Sequence, residues 1–327
     1  MGSLTDIALQ GLFLGAEWGL VAVAFGLVVR VTRIFHLALG GMYGLASYVF
    51  LWGNVTVGLP FVVAILLAML SGVVLGIVID RFVYQRITGI HGRRSQRNTL
   101  LNEAGPFVAS LGAMIVLNNL ALLWFGASPL GGHPPDLGIF SMAGARSQGW
   151  DLVKAVSSLL AVLAVWLWLG RTRTGQGAIA LGQDAVGASV VGIDERAMRR
   201  TIFGVTGAAA GLGGALAMIS HPVVPGQGLH IVLYAALITL ILPNVSVLTW
   251  WASAVGLGIL HTWASVQLGS GWSEIVVQVA LLSLLVVSRL ILPQVRRARR
   301  ERVRHQDLEM SETHLSDSPA PKEVAAR

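Results

Sequence analysis

Cysteine is absent from the 327 residues, which excludes disulfide frameworks, thiolate metal sites, iron–sulfur clusters and cysteine nucleophiles together. Charge is scarce too. Asp, Glu, Lys and Arg make up 12% of the chain, against about 25% in a soluble globular domain, so an ordinary cytosolic enzyme is excluded. No basic residue precedes the first apolar run, residues 7–29. That run is too long for the core of a cleavable leader and reads as a permanent span. No G-x-x-x-x-G-K-[ST] run occurs and neither lysine follows a glycine, so this chain is not expected to cradle ATP phosphates. His36, His221, His230 and His261 lack the spacing of metal ligands, and Ser110 and Ser220 lack a nucleophile setting. Neither a metal site nor a catalytic residue is expected.

What is present is apolar sequence punctuated by small residues: 54% hydrophobic residues and 39 glycines, with a mean hydropathy of +0.71. This is the composition of a polytopic membrane protein. A helix needs about twenty apolar residues to cross the hydrocarbon core. Residues 7–29, 34–52, 60–79, 107–126, 155–169 and 201–220 qualify or nearly so, and no charged residue follows until Glu274. The silent stretch divides at Pro243-Asn244 into 231–242 and 245–266, because proline cannot continue a helix. A last span covers 275–292. The expected fold is an all-α membrane bundle of about nine helical segments, in which 231–242 is a tilted or broken span.

The formal charge of +7 lies in the links between apolar runs rather than along a soluble surface, which argues against nucleic acid. Arginines fall after the first, third and fifth spans, and only Arg146 and Lys154 fall on the other side. Cytoplasmic loops keep their Lys and Arg, so the amino terminus is expected outside and the carboxyl terminus in the cytoplasm. Two regions follow: a transmembrane domain, 1–293, and a basic, then polar cytoplasmic tail, 294–327, too poor in apolar residues to fold. The basic cluster that opens the tail reads as a topology anchor or a contact with anionic lipid.

Glycines recur at four-residue spacing in Gly11, Gly15 and Gly19, in Gly40 and Gly44, in Gly72 and Gly76, and in Gly207 and Gly211. Such stripes let membrane helices approach closely. Glu17 reads as the only acid inside a span; it is either a proton or substrate-amine site, or a buried group packed against a neighbouring helix. The loop from Arg171 to Arg200 interleaves apolar Ile179, Val186, Val190, Val191 and Ile193 with small residues. That pattern fits a helix docking into a groove on another protein, and equally one lying at lipid headgroups.

Three stretches resemble one family. They are Gly26-Leu27 through Arg33 to His36-Leu37-Ala38-Leu39-Gly40, Tyr43 and Tyr48; then Arg171-Thr172-Arg173-Thr174-Gly175 with Gly182-Gln183-Asp184 and Gly192-Ile193-Asp194; then Phe203-Gly204 through to Gly213-Gly214-Ala215. Together they are similar to permeases of branched-chain amino acid ABC importers, specifically the smaller of the two permease subunits. The resemblance implies a heterodimer with a second permease, two ATPase subunits that hold ATP and Mg, an extracytoplasmic solute-binding protein, and residence in the bacterial inner membrane. It assigns coupling to the ATPase to Gly182, Gln183, Asp184, Val190, Gly192, Ile193 and Asp194. Candidates for the translocation path are Glu17, His36, Gly40, Tyr43, Pro243 and Asn244. Four places depart from the family pattern: His36 replaces its Asn, Leu39 its His, Val186 its Glu, and Leu242-Pro243-Asn244-Val245 its glycine-rich run. These leave the fold and partner class standing and bear on the substrate, for which branched-chain or related small amino acids are the default. A stand-alone secondary transporter or channel for a small polar solute is the alternative, since broken helices often line substrate sites.

Overall fold

The computed structural model describes residues 4–87, 99–131, 137–142, 145–220, 222–243 and 245–288. The expected tail, 294–327, lies outside the described residues, as do His221 and Asn244. The helices, in chain order, are α1 (Leu4–Thr32), α2 (Ala38–Leu51), α3 (Phe61–Ile79), α4 (Thr99–Phe125), α5 (Gly149–Arg171), α6 (Arg173–Gln183), α7 (Ala185–Val190), α8 (Glu195–Ser220), α9 (Gly228–Ile241), α10 (Val247–Leu268) and α11 (Ser270–Val286). Helices α2 and α3 each run on into a π-helical turn, at Trp52–Thr56 and Asp80–Tyr84. An antiparallel hairpin, β1 (Ile139–Met142) and β2 (Ala145–Gln148), precedes α5. It is a departure from an entirely helical chain: four-residue strands in a polar link leave little periodic signal to read.

Nine of these helices fall on the nine segments expected from hydropathy, and α6 and α7 occupy the 171–200 loop. Five are long and apolar enough to cross a membrane: α1, α3 with its extension to Ile87, α4, α5 and α8. Helix α9 is shorter, at 14 residues.

Burial separates the long helices into two kinds. Most of the apolar window is buried in α1 (83%) and α8 (89%), but only 22–28% in α3, α4 and α5. Helices α1 and α8 are therefore central, and the other three present apolar flanks outward, with Leu70, Val62 and Leu123 more than half exposed. In hydrocarbon such flanks carry no penalty.

The central helices approach their neighbours at glycines. A Cβ at Gly72 or Gly207 would enter the other's backbone, where α3 crosses α8. Gly11 and Gly15 meet Gly258 where α1 crosses α10, and Gly40 meets Gly228 where α2 crosses α9. Backbones this close gain dispersion contacts that larger side chains would prevent.

The bundle unit runs to Leu281, and the chain from Leu282 forms a second unit. Of that unit the described residues are 282–288, the last turns of α11 and the residues just after it.

Candidate functional site

Glu17 lies near the middle of α1 and is 5% exposed. The Tyr43 hydroxyl of α2 donates to its Oε1 at 2.8 Å. Lys154 of α5, 4% exposed, places its Nζ 3.9 Å from Glu17 Oε2 and 3.2 Å from Asp151 Oδ1. Local structure explains how the lysine is presented. Lys154, Ser158 and Val162 follow a four-residue repeat on the buried face of α5, the spacing that puts side chains on one face. The Ser158 hydroxyl donates to the Ala16 carbonyl, one residue before Glu17. The Trp251 indole of α10 in turn donates to Ser158 at 3.0 Å. Asp151 sits in the first turn of α5, where its Oδ2 accepts from the Gln148 amide at 3.3 Å and leaves Oδ1 for the lysine.

Two cavities flank this charge cluster at the arginine-poor end of the bundle. A chamber of about 510 Å³ is lined by Glu17, Trp18, Tyr43, Tyr234, His230 and Glu274 among others. A vestibule of about 610 Å³ is lined by Gln10, Gln148, Asp151, Lys154, Thr262 and Ser265 among others. Leu14 and His261 belong to both walls. Among the described residues the chamber lining contains carboxylates, imidazoles and phenols but no Lys or Arg. It can therefore offer acceptors and aromatic faces to a polar solute, and a weak welcome to an anion.

A second buried polar cluster closes the arginine-rich end. Arg199 of α8 donates to Asp80 Oδ1 from Nη2 at 2.7 Å and from Nε at 3.2 Å, with the Asp80 side chain fully buried. Gln85 donates to Asp80 Oδ2 at 2.7 Å. Beside it, His36 Nδ1 and the Tyr84 hydroxyl are 2.7 Å apart, and the Ala38 amide donates to Ser110 at 3.0 Å. A buried ion pair persists only when both charges are well hydrogen-bonded, a condition met here.

The 171–200 loop is pinned to the bundle at one point and open at another. Arg33, with a left-handed backbone (φ 59°), donates from Nη2 to the Gly182 carbonyl at 3.0 Å. A Cβ at Gly182 would crowd the Arg30 carbonyl. Asp184 caps α7 by accepting from the Val186 amide at 3.0 Å, and Asp194 caps the start of α8 by accepting from Arg196 at 2.9 Å. Gly192 turns the chain with φ 84°, a conformation that favours glycine. Ile193 packs inward against the core. Facing outward are Val186 (75%), Val190 (81%) and Val191 (75%).

Of the seven residues expected to couple, Val190 belongs to the outward apolar face and Gln183 is exposed, whereas Gly182, Asp184, Gly192, Ile193 and Asp194 shape or anchor the loop. Among the path candidates the structure brings together Glu17 and Tyr43. His36 lies in the cluster at the opposite end, Gly40 in a helix crossing, and Pro243 in an exposed turn between α9 and α10. Pro243 thus lies just past the end of α9. Glu17 is also not alone: Asp80, beyond the end of the third apolar segment, is buried inside the bundle. Lys154 was visible in the sequence as one of two cations on the wrong side of the charge rule, but nothing in sequence spacing pairs it with Glu17.

Comparisons with known proteins place the chain in a family. The family described as branched-chain amino acid transport system / permease component matches residues 7–287. The chain is 25% identical over 286 residues to the autoinducer 2 import system permease protein LsrC of Escherichia coli (strain K12 / DH10B), covering 82% of this chain and 75% of that one. It is 28% identical over 183 residues to the ribose import permease protein RbsC of Bacillus subtilis (strain 168), covering 53% and 56%. Among solved structures, PsaBC from Streptococcus pneumoniae in complex with Fab aligns at a TM-score of 0.48 and 14% identity, over 89% of this chain and 94% of that one. The chain is a multi-pass membrane protein, an ABC transporter permease subunit, and belongs to the branched-chain amino acid transport system permease component family.

Proposed function

We propose that this chain forms one wall of the path of an ABC importer for a small neutral, polyhydroxylated solute in the bacterial inner membrane. The observation that carries the importer reading is α7: an apolar face of Val186, Val190 and Val191 at the arginine-rich end, where a cytoplasmic ATPase would dock. The chain itself carries no phosphate-binding loop, so ATP and Mg belong to two partner ATPase subunits and the chain is not itself an enzyme. A second permease completes the path, and an extracytoplasmic binding protein delivers solute to the cavities at the other end. Lipid covers the flanks of α3, α4 and α5.

The solute class rests on two supports. Relatives are named for importing autoinducer 2, ribose, and galactose or methyl galactoside, so the amino-acid substrate expected from the resemblance is replaced. The chamber also suits hydroxyls: Glu17, Tyr43 and Tyr234 offer hydrogen bonds and Trp18 an aromatic face, while an amino acid's carboxylate would face Glu17 and Glu274. A stand-alone secondary transporter is not favoured, because relatives are named as permeases of import systems.

The test is uptake by proteoliposomes holding the purified complex, with ATP inside and the binding protein outside. ATP-dependent accumulation of D-ribose or D-galactose, without accumulation of leucine, is expected. Leucine uptake, or sugar uptake that ignores ATP, would overturn the reading.

A further inference from the structure

Lys154 stands between two carboxylates on the partition between vestibule and chamber. It lines the vestibule, Glu17 lines the chamber, and the two cavities share Leu14 and His261. The lysine is closer to Asp151, at 3.2 Å, than to Glu17 Oε2, at 3.9 Å. The longer separation exceeds a hydrogen bond. Burying charges is costly unless they are paired, and here Asp151 holds the lysine while Glu17 faces it from the neighbouring helix. Glu17 Oε1 is committed to Tyr43, while Oε2 faces the ammonium across the partition. A neutral hydroxyl is repelled by neither charge; an anion is repelled by Glu17, Asp151 and Glu274, and a cation by Lys154.

We infer that Glu17 and Lys154 form a charge-compensated dyad that sets the charge selectivity of the solute path, with Lys154 the specificity-determining residue that keeps Glu17 from turning the chamber into a cation trap. The inference rests on reading these cavities as part of the solute path.

The absence of cysteine makes the test direct. In the full-length chain, Leu14→Cys places one thiol in the wall shared by both cavities, one helical turn from Glu17. Its labelling rates are measured in membranes at pH 8.5, above the usual imidazole range, with cationic trimethylammonioethyl, anionic sulfonatoethyl and neutral hydroxyethyl methanethiosulfonates. Rates of the charged reagents are taken relative to the neutral one. Lys154→Gln is expected to raise the cationic ratio and lower the anionic ratio by about tenfold each, the scale on which local fields concentrate ions. Glu17→Gln shifts both ratios the opposite way, and the double variant returns them close to the parent values. Ratios that ignore Lys154→Gln, equal acceleration of all three reagents, or a thiol that none of them reaches would each overturn the inference. Failure of sugar uptake alongside the expected ratio shifts would instead count against the proposed solute path.

Discussion

Asp80 and Arg199 show what a single charge costs inside this bundle. The Asp80 side chain is fully buried and the Arg199 side chain 9% exposed, with two hydrogen bonds running to one carboxylate oxygen. Arg199→Gln strands Asp80, for which about 3–5 kcal/mol of destabilisation is expected. Asp80→Asn in the same chain removes the stranded charge and should recover much of the loss. Thermal unfolding of the detergent-purified single and double variants measures both. The same scale separates two apolar residues of one loop. Val190 is 81% exposed while Ile193 packs against the core. Val190→Glu should leave folding and insertion unchanged and abolish solute-stimulated ATP hydrolysis in the assembled complex. Ile193→Glu should lower the yield of folded permease before any coupling defect is seen.

Helix crossings depend on the absence of a side chain at particular glycines. At Gly72 and Gly207 the backbones of α3 and α8 are close enough that a Cβ on either would overlap the other. Gly207→Val forces the central helix away from its neighbour, and a loss of at least about 1–3 kcal/mol is expected, as for overpacked cores. Gly112→Ala in α4, where a Cβ meets nothing within 4 Å, is the matched control and should be neutral or slightly stabilising. A stability comparison of the two variants tests whether the crossing or glycine content in general matters. The small-residue stripes were legible as a pattern, but not which helices they join. Gly44, which belongs to the same pattern, has room around it, with only Asn118 near at 3.9 Å.

At the scale of the whole molecule, the division into central and peripheral helices predicts where charge is tolerated. Leu70, midway along α3, is 56% exposed and would be an innocuous site in a soluble protein. Facing lipid, Leu70→Arg should disfavour insertion by about 2.5–3.5 kcal/mol, the cost of arginine at a helix centre. A membrane-insertion assay on that span reads the effect, and an unchanged inserted fraction would mean that another protein surface covers this face.

Sequence alone determined that the chain is a helical membrane protein and where its long apolar segments lie. Both follow from the hydrocarbon's demand for long apolar helices, which is written in contiguous residues. The family signature was contiguous for the same reason. Tertiary structure alone decided which polar residues meet. Glu17 and Tyr43 come from successive helices and Lys154 from a third, distant one, and Asp80 and Arg199 are separated by 119 positions. It also decided which of the loop's apolar residues face outward, since α7 is too short for its periodicity to distinguish Val190 from Ile193 until the loop is anchored through Gly182 and Arg33. Period and composition record what each helix needs from its solvent; the partners of its few polar groups are set by how the helices pack.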